Sequence, residues 1–370
     1  MPPDGTHRER GRPRQVDSTV YTPQVCRGVA CLLVAVYHGV GLVEHHYGVD
    51  PSRGLSRFGF SGVHLFFVIS GLIIYHAHRR DLGDVRNAPR YLLKRLVRIY
   101  PFYWIAFMAL GGRKVFSGRL EIGDFLTNAL FFSSSESLVI AVAWTLAYEM
   151  IFYGIFLAFL VKRALGIAVF AAWFALLALN RHFHFAESIG LELLNVLFIL
   201  GLLTSVAVIA LRGRLDARRR DQLGAAALVT GTVVFLGTAW YCPSQPHEGM
   251  GIWRSLPLTL GFGIGSALLL FASLSGRIEA FLKRRRLLLL IGDASYAIYL
   301  LHFYFEKRAS NAIRSLGWVP EGETTQLTAL VVLAAILVAA VAGGILVHKW
   351  IEKPLLIGLR KWLRVGQSVR

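Results

Sequence analysis

Long apolar runs alternate with short basic clusters along almost the whole chain. The runs lie near 25–43, 60–77, 96–111, 138–161, 164–181, 190–211, 223–241, 253–274, 287–305 and 327–350. Most approach the roughly 20 residues that a helix needs to cross a bilayer. Backbone groups inside hydrocarbon must satisfy one another, so runs of this length are expected to be helices. The pattern predicts an all-α, polytopic bundle of about ten membrane-spanning helices. The third run is the shortest and is rich in aromatics. Residues 1–22 read as a disordered basic tail, 23–354 as the membrane domain and 355–370 as a second basic tail.

Charge orients this map. The chain has 40 Lys and Arg against 22 Asp and Glu, a net charge of +18, with 55% hydrophobic residues and a mean hydropathy of +0.53. Most of the basic residues fall into alternate connections, among them Arg79–Arg98, Arg212–Arg220 and Arg277–Arg286. With ten spans and both termini in the cytoplasm, the bias follows the positive-inside rule. Such arginines meet anionic lipid head groups, and no nucleic-acid-binding module accompanies them, so a nucleic-acid partner is not expected. The three cysteines give no disulfide framework and no metal-ligand spacing, so no metal is expected. The first apolar run follows a long Arg- and Pro-rich tail and contains Arg27, which argues against a cleaved signal. The long outer connection 112–137 contains an apolar stretch, Phe125 to Phe132, expected at the interface or dipping into the membrane.

Several polar groups sit where hydrocarbon makes them costly. Arg27 and His38 are separated by ten residues, three helical turns on one face, about 16 Å along the axis. A fixed cation near one surface and a proton acceptor in the opposite half point to chemistry carried out across a membrane. His38 is a candidate general base for a hydroxyl attacking an acyl group. In the second span, Ser61, Gly62, Ser70 and Gly71 permit close helix approach, and His64 reaches the same outer layer as His38. Arg95 and Arg98 stand one turn apart at the inner mouth of the third span, where planar guanidinium groups suit phosphate, or simply lipid contact. Glu149 lies mid-span, with Thr145 and Tyr153 one turn to either side and Trp144 just before; it should face the bundle interior with a partner. In the ninth span Ser295 and Tyr299 share a face and His302 reaches the outer half. Glu352 is expected to pair with the inner arginines, and Pro354 to end the last helix.

In order, these strings resemble the acyltransferase-3 family of membrane acyltransferases. The resemblance covers Val25 to Leu355. It rests on Arg27-Gly28-x-Ala30 … His38; Gly62-Val63-x-x-Phe66-Phe67-x-x-Ser70-Gly71; Arg95-x-x-Arg98-Ile99-x-Pro101; Trp144-Thr145-Leu146-x-x-Glu149-x-x-Phe152-Tyr153; Ser295-Tyr296-x-x-Tyr299-Leu300-x-His302; and Glu352-x-Pro354. It implies a ten-helix domain that moves an acyl group, commonly acetyl from acetyl-CoA, onto a hydroxyl of an envelope or secreted glycan, or in some branches of a macrolide. It makes His38 the catalytic histidine, with Glu149 holding its tautomer and orientation or balancing the cavity charge. Arg27, Arg95 and Arg98 become the acyl-CoA ligands, and His64, Ser70, Trp144, Tyr153, Ser295, Tyr299 and His302 become supporting groups around the substrates. The wording of spans two to four looks most like the exopolysaccharide acetyltransferase branch, which implies a glycan or lipid-linked sugar acceptor and the inner membrane of a bacterium. Many members carry an acidic residue where this chain has His64. Ten spans with buried Arg, Glu and His would also suit a glycan or lipid transporter, although no inverted repeat with paired broken helices is visible.

Overall fold

In the computed structural model the chain is described over residues 20–117, 121–131, 138–242, 255–319 and 324–363. Residues 1–19 of the expected N-terminal tail, 364–370 of the C-terminal one, 118–120 and 132–137 of the outer connection 112–137, and 243–252 of the connection 241–252 lie outside those residues. Among the described residues the fold is all helix: α1 (Thr22–Tyr47), α2 (Ser61–His78), α3 (Ala88–Phe116), α4 (Ile122–Ala129), α5 (Trp144–Val161), α6 (Arg163–Phe183), α7 (Val196–Arg214), α8 (Ala217–Tyr241), α9 (Leu256–Phe271), α10 (Gly276–Lys283), α11 (Arg286–Ser315), α12 (Gln326–Val347) and α13 (Lys353–Trp362). Among the described residues nine helical segments are long and apolar enough to cross a membrane, which makes this an integral membrane protein. The remaining candidate span, 96–111, lies in α3. That helix has 29 residues, about 43 Å at 1.5 Å per residue, but Arg90, Lys94, Arg95 and Arg98 make its first half basic. Its later turns are core, with Phe102, Tyr103 and Phe107 almost fully buried.

The start of α1, the end of α2, the start of α3 and the end of α12 meet at one end of the bundle, here the basic end. The opposite end is the distal end. Pro23 opens α1, where its missing N–H costs nothing, and Gly48 closes it in the left-handed region with its N–H on Glu44 O at 2.9 Å. At the start, Glu279 of α10 accepts hydrogen bonds from the N–H groups of Tyr21 and Thr22 and from the Thr22 hydroxyl. A carboxylate there satisfies orphan donors and the positive end of the helix dipole.

Two glycine pairs set the central crossings. A Cβ on Gly292 of α11 would lie 2.1 Å from Gln24 O of α1, and one on Gly28 would lie 3.1 Å from Gly292 N. A Cβ on Gly71 of α2 would lie 2.0 Å from Phe198 O of α7, and one on Gly201 would lie 2.0 Å from Val68 O. Neither crossing leaves room for a methyl group; for the α2–α7 crossing the small residues of span two had indicated close approach.

Three sequence-based boundaries move. The ninth apolar run was expected to end at 305, yet α11 continues to Ser315, ten residues further. Pro354 was expected to end the last helix. Instead Lys353 N–H bonds His348 O through a π-helical turn over His348–Glu352, and Pro354 sits in the first turn of α13, where its ring is tolerated. Helix α13 packs back on α3 with Leu356 buried, so the start of the expected C-terminal tail is structured. The expected stretch Phe125 to Phe132 starts inside α4 and ends, at Phe132, outside the described residues; α3 holds the end of α4 through Tyr103 Oη to Asn128 O at 2.6 Å and Trp104 Nε1 to Ala129 O at 3.1 Å.

Candidate active site

One cavity of about 120 Å³ lies among α1, α2, α3, α5 and α11. Arg27, Ser70, Arg95, Arg98, Thr145, Glu149, Tyr153, Ser295, Tyr296 and Tyr299 line it. A second space of about 420 Å³ reaches it from the basic end, lined by Val20, Gln24, Arg27, His76 and Arg212 among others. Arg27 borders both, so it stands at the passage between them.

The charges are unevenly matched. Arg98 Nη1 bonds Glu352 Oε1 at 2.8 Å, and the other oxygen of Glu352 takes His348 Nδ1 at 2.7 Å. Glu352 has no exposed surface, and the π-helical turn that carries it lies across from α3. The Arg98 guanidinium also lies over the Tyr296 ring, 5.4 Å from its centroid. Arg95 is flanked by Tyr91 and Tyr153 at 5.9 and 5.8 Å, and Nη2 donates to His78 Nε2 at 3.1 Å. Arginine cannot accept, so His78 Nε2 does; His78 Nδ1–H therefore donates to Asp81 at 2.9 Å. Among the described residues neither Arg27 nor Arg95 forms an ion pair. Three guanidinium groups thus face two carboxylates, and the surplus is positive. Planar donors with no carboxylate of their own are suited to a phosphate-bearing ligand.

Glu149 has been expected to orient His38. Its Oε1 instead accepts from Ser70 Oγ at 3.1 Å and from the Tyr153 hydroxyl, within the arginine-lined cavity. Two hydroxyl donors on one oxygen are what a carboxylate accepts. Of the two expected roles, charge balance fits the geometry and contact with the histidine does not. Further along the cavity, Thr145 Oγ1 and Tyr299 Oη lie 2.9 Å apart, and Phe66 packs edge-on against the Tyr299 ring at 5.2 Å. Ser295 is buried beside the cavity, and among the described residues its hydroxyl has no partner.

His38 belongs to a different space. It lines a cleft of about 560 Å³ at the distal end with Tyr37, Glu44, His45, Asp50, Ser56, Arg57 and Phe303. The roof of that cleft is a turn in which Asp50 accepts from Ser52 N at 2.8 Å and Gly54 N at 2.7 Å. Gln326 at the start of α12 holds the turn through Asp50 O and Pro51 O at 3.0 and 2.7 Å. The His38 ring meets His302 at 5.2 Å between centroids and Phe303 at 5.6 Å. His302 Nδ1 lies 2.7 Å from Tyr299 O. A carbonyl only accepts, so Nδ1 carries the proton and Nε2 keeps its lone pair. Tyr299 lines the inner cavity and His302 faces His38, three residues and about 4.5 Å along the same helix. The two spaces therefore approach each other across one turn of α11.

Depth alone had put His38, His64 and His302 in one layer. The structure brings His38 and His302 together and sets His64 apart. His64 is buried between Phe60 at 5.7 Å and Phe262 at 5.5 Å, against α9. Trp144 starts α5 and meets Tyr148 edge-on at 5.6 Å, outside the lining of both spaces. Reading the sequence missed Tyr296, whose hydroxyl also anchors α11 to Ile99 O of α3 at 2.9 Å. It had quoted that tyrosine in a motif, so the signal was present. It also missed Glu306, a fully buried carboxyl one turn beyond His302. There the run Glu306-Lys307-Arg308 reads as the charged end of a span. Among the described residues no group of His, Cys, Asp and Glu could hold a metal ion.

Comparison with known proteins places this arrangement. A family model described as an acyltransferase domain, that of the acyltransferase-3 family, matches residues 20–349. The chain is 26% identical over 338 residues to the exopolysaccharide production protein ExoZ of Rhizobium meliloti (strain 1021), covering 87% of this chain and 94% of that protein. It is 35% identical over 81 residues to protein 2 in the picA locus of Rhizobium radiobacter, covering 22% of this chain and 38% of that protein. No solved structure matches it.

Proposed function

The chain belongs to the acyltransferase-3 family, and from that premise we propose that this membrane acyltransferase moves an acetyl group from acetyl-CoA to a hydroxyl of an exopolysaccharide or its lipid-linked precursor. The single observation that carries the reading is the approach of two unlike spaces across one turn of α11, between Tyr299 and the His38–His302 contact. One is cationic and entered from the basic end; the other opens at the distal end. The similarity to a protein named for exopolysaccharide production supports the glycan as acceptor.

The basic end is cytoplasmic in this reading, in accord with the positive-inside rule. The phosphates of the donor meet Arg27, Arg95 and Arg98 at the passage between the entrance and the inner cavity. The acyl-bearing arm extends toward Tyr299, past the free Ser295 hydroxyl. Arg27 and His38 fix the distance it must cover, about 16 Å along α1. The acceptor hydroxyl enters through the distal cleft. His38 takes its proton, the oxygen attacks the thioester carbon, the C–S bond breaks, and the proton passes from His38 to the leaving thiolate. A transient acyl-imidazole on His38 balances equally well, with the hydroxyl then attacking the acyl-histidine. His302, with its proton fixed on Nδ1, presents a lone pair in the histidine pair.

The test uses purified protein in nanodiscs with labelled acetyl-CoA and a panel of exopolysaccharide repeat units and macrolides. Label should appear on the glycan and be lost in His38→Ala at equal yield of folded protein. Label confined to macrolides would replace the acceptor class. Unabated transfer by His38→Ala would remove the histidine from the mechanism. Movement of a glycan into sealed proteoliposomes without acylation would favour a transporter.

A further inference from the structure

The entrance space at the basic end is built like a binding site. At about 420 Å³ it falls within the roughly 300–1,000 Å³ of small-molecule pockets. Its walls include Gln24 and Arg27 of α1, His76 of α2, Ser205 and Arg212 of α7, and Asp293 of α11. Arg212 lines this space and not the inner cavity. It is half-buried, and its Nη2 donates to Ser273 O, just past the end of α9, at 2.8 Å. That bond holds the guanidinium in place. Among the described residues its other N–H groups have no partner, and it forms no ion pair. A held guanidinium with open donors suits a phosphate, which accepts two of them at once. Ser205, two turns earlier on α7, lines the space as well, buried and with no partner for its hydroxyl among the described residues. The carboxylate in the wall, Asp293, takes Gln24 Nε2 at 2.7 Å. Arg27 and Arg212 together outweigh it, so the space keeps a positive surplus.

The length of the donor assigns an occupant. The pantetheine arm of acetyl-CoA has about thirteen bonds between sulfur and phosphorus, a little more than four extended residues, and spans roughly 15 Å. That nearly equals the distance of about 16 Å along α1 from His38 back to Arg27. With the thioester at His38, the diphosphate stops at Arg27 and the adenosine lies beyond it, in the entrance. The 3′-phosphate of the adenosine is one ribose away from the diphosphate, so its cation has to line the same space as Arg27. Arg212 does. The denser basic cluster of Arg79, Arg80, Arg90 and Lys94 lines a neighbouring pocket of about 380 Å³, which shares only His76 and Ala77 with the entrance.

We propose that the entrance is the nucleotide subsite of the donor and that Arg212 binds its 3′-phosphate, so that the enzyme distinguishes acetyl-CoA from acetyl-dephospho-CoA. The inference rests on the acyl-CoA reading of the inner cavity. This end of the donor is far from the reacting carbonyl and is held alike before and during transfer, so the contact acts on donor affinity. No bond forms or breaks there.

Arg212→Gln removes the charge and keeps an N–H for Ser273 O. Arg212→Lys keeps a charge without the planar fork. Both would be compared in nanodiscs with wild type and with Arg214→Ala, which removes an exposed arginine two residues further along. Calorimetry would give the affinity for CoA and for dephospho-CoA, and transfer assays the KM of the two acetylated donors. Wild type and Arg214→Ala should prefer the 3′-phosphorylated form by roughly tenfold in both measurements. In Arg212→Gln the CoA form should weaken by that factor while the dephospho form is unchanged, so the preference disappears; Arg212→Lys should keep part of it. A preference that survives in folded Arg212→Gln would overturn the assignment and move the 3′-phosphate to the cluster of Arg79, Arg80, Arg90 and Lys94. Wild type that binds CoA and dephospho-CoA equally would overturn the subsite and leave the acyl-CoA reading standing. Wild type that binds neither would reject that reading, and the inference with it.

Discussion

At the scale of residues, the three arginines of the inner cavity differ in what they leave behind when removed. Arg98 is the partner of a carboxylate with no exposed surface. Truncating one member of such a pair strands the other, at a cost of about 3–5 kcal/mol. Arg98→Ala should therefore lower thermal stability and yield, and Glu352→Gln in the same chain should restore much of both. Arg27 forms no ion pair among the described residues, so Arg27→Ala should leave the melting temperature near wild type while raising the acetyl-CoA concentration needed for half-maximal rate, by roughly tenfold for one lost charge-assisted contact. Thermal unfolding and donor titration, run on the same preparations, separate the two arginines. An Arg27→Ala enzyme with unaltered donor dependence would place the phosphates elsewhere.

Among the elements, the crossing of α1 on α11 decides whether the histidine pair exists. Gly28 and Gly292 bring the backbones so close that a Cβ on Gly292 would meet Gln24 O. Gly292→Val must push the helices apart, and the His38–His302 contact three turns away shifts with them. Catalysis is sensitive to displacements of an ångström. Transfer should drop by roughly 100-fold or more, with a loss of stability as well. Gly154 in α5 has nothing within 4 Å of an added Cβ, and Gly154→Ala should be neutral or slightly stabilising through helix propensity. Equal damage from both glycines would show that the crossing does not govern the site.

For the whole molecule, the arrangement is polarised along the bundle axis. The entrance space and the ion pairs lie toward the basic end, and the His38 cleft opens at the distal end. With the native cysteines replaced, a cysteine at Lys353 should react with a membrane-impermeant thiol reagent in inverted vesicles, and one at Glu44 in right-side-out cells. The reverse pattern would put the donor entrance outside the cell and end the cytoplasmic acetyl-CoA reading.

The helical membrane architecture is legible in the linear chain, because long apolar runs in hydrocarbon satisfy their backbone as helices. The linear chain also marked Arg27, His38, Arg95, Arg98 and Glu149 as costly polar groups, since depth along a span is readable from spacing. The tertiary structure decided which of them meet. Rotation of one helix about its axis against another is set by side-chain packing and by glycine crossings that involve residues far apart in the chain. That is why Glu149 turns to Ser70 and Tyr153 and away from His38, and why His302 becomes the neighbour of His38 while His64 rests between two phenylalanines. It also explains why Glu306 was hidden. In a linear reading Glu306-Lys307-Arg308 is a charged span end; only the packing of α11 on α1 shows the acid facing in and the two cations facing out.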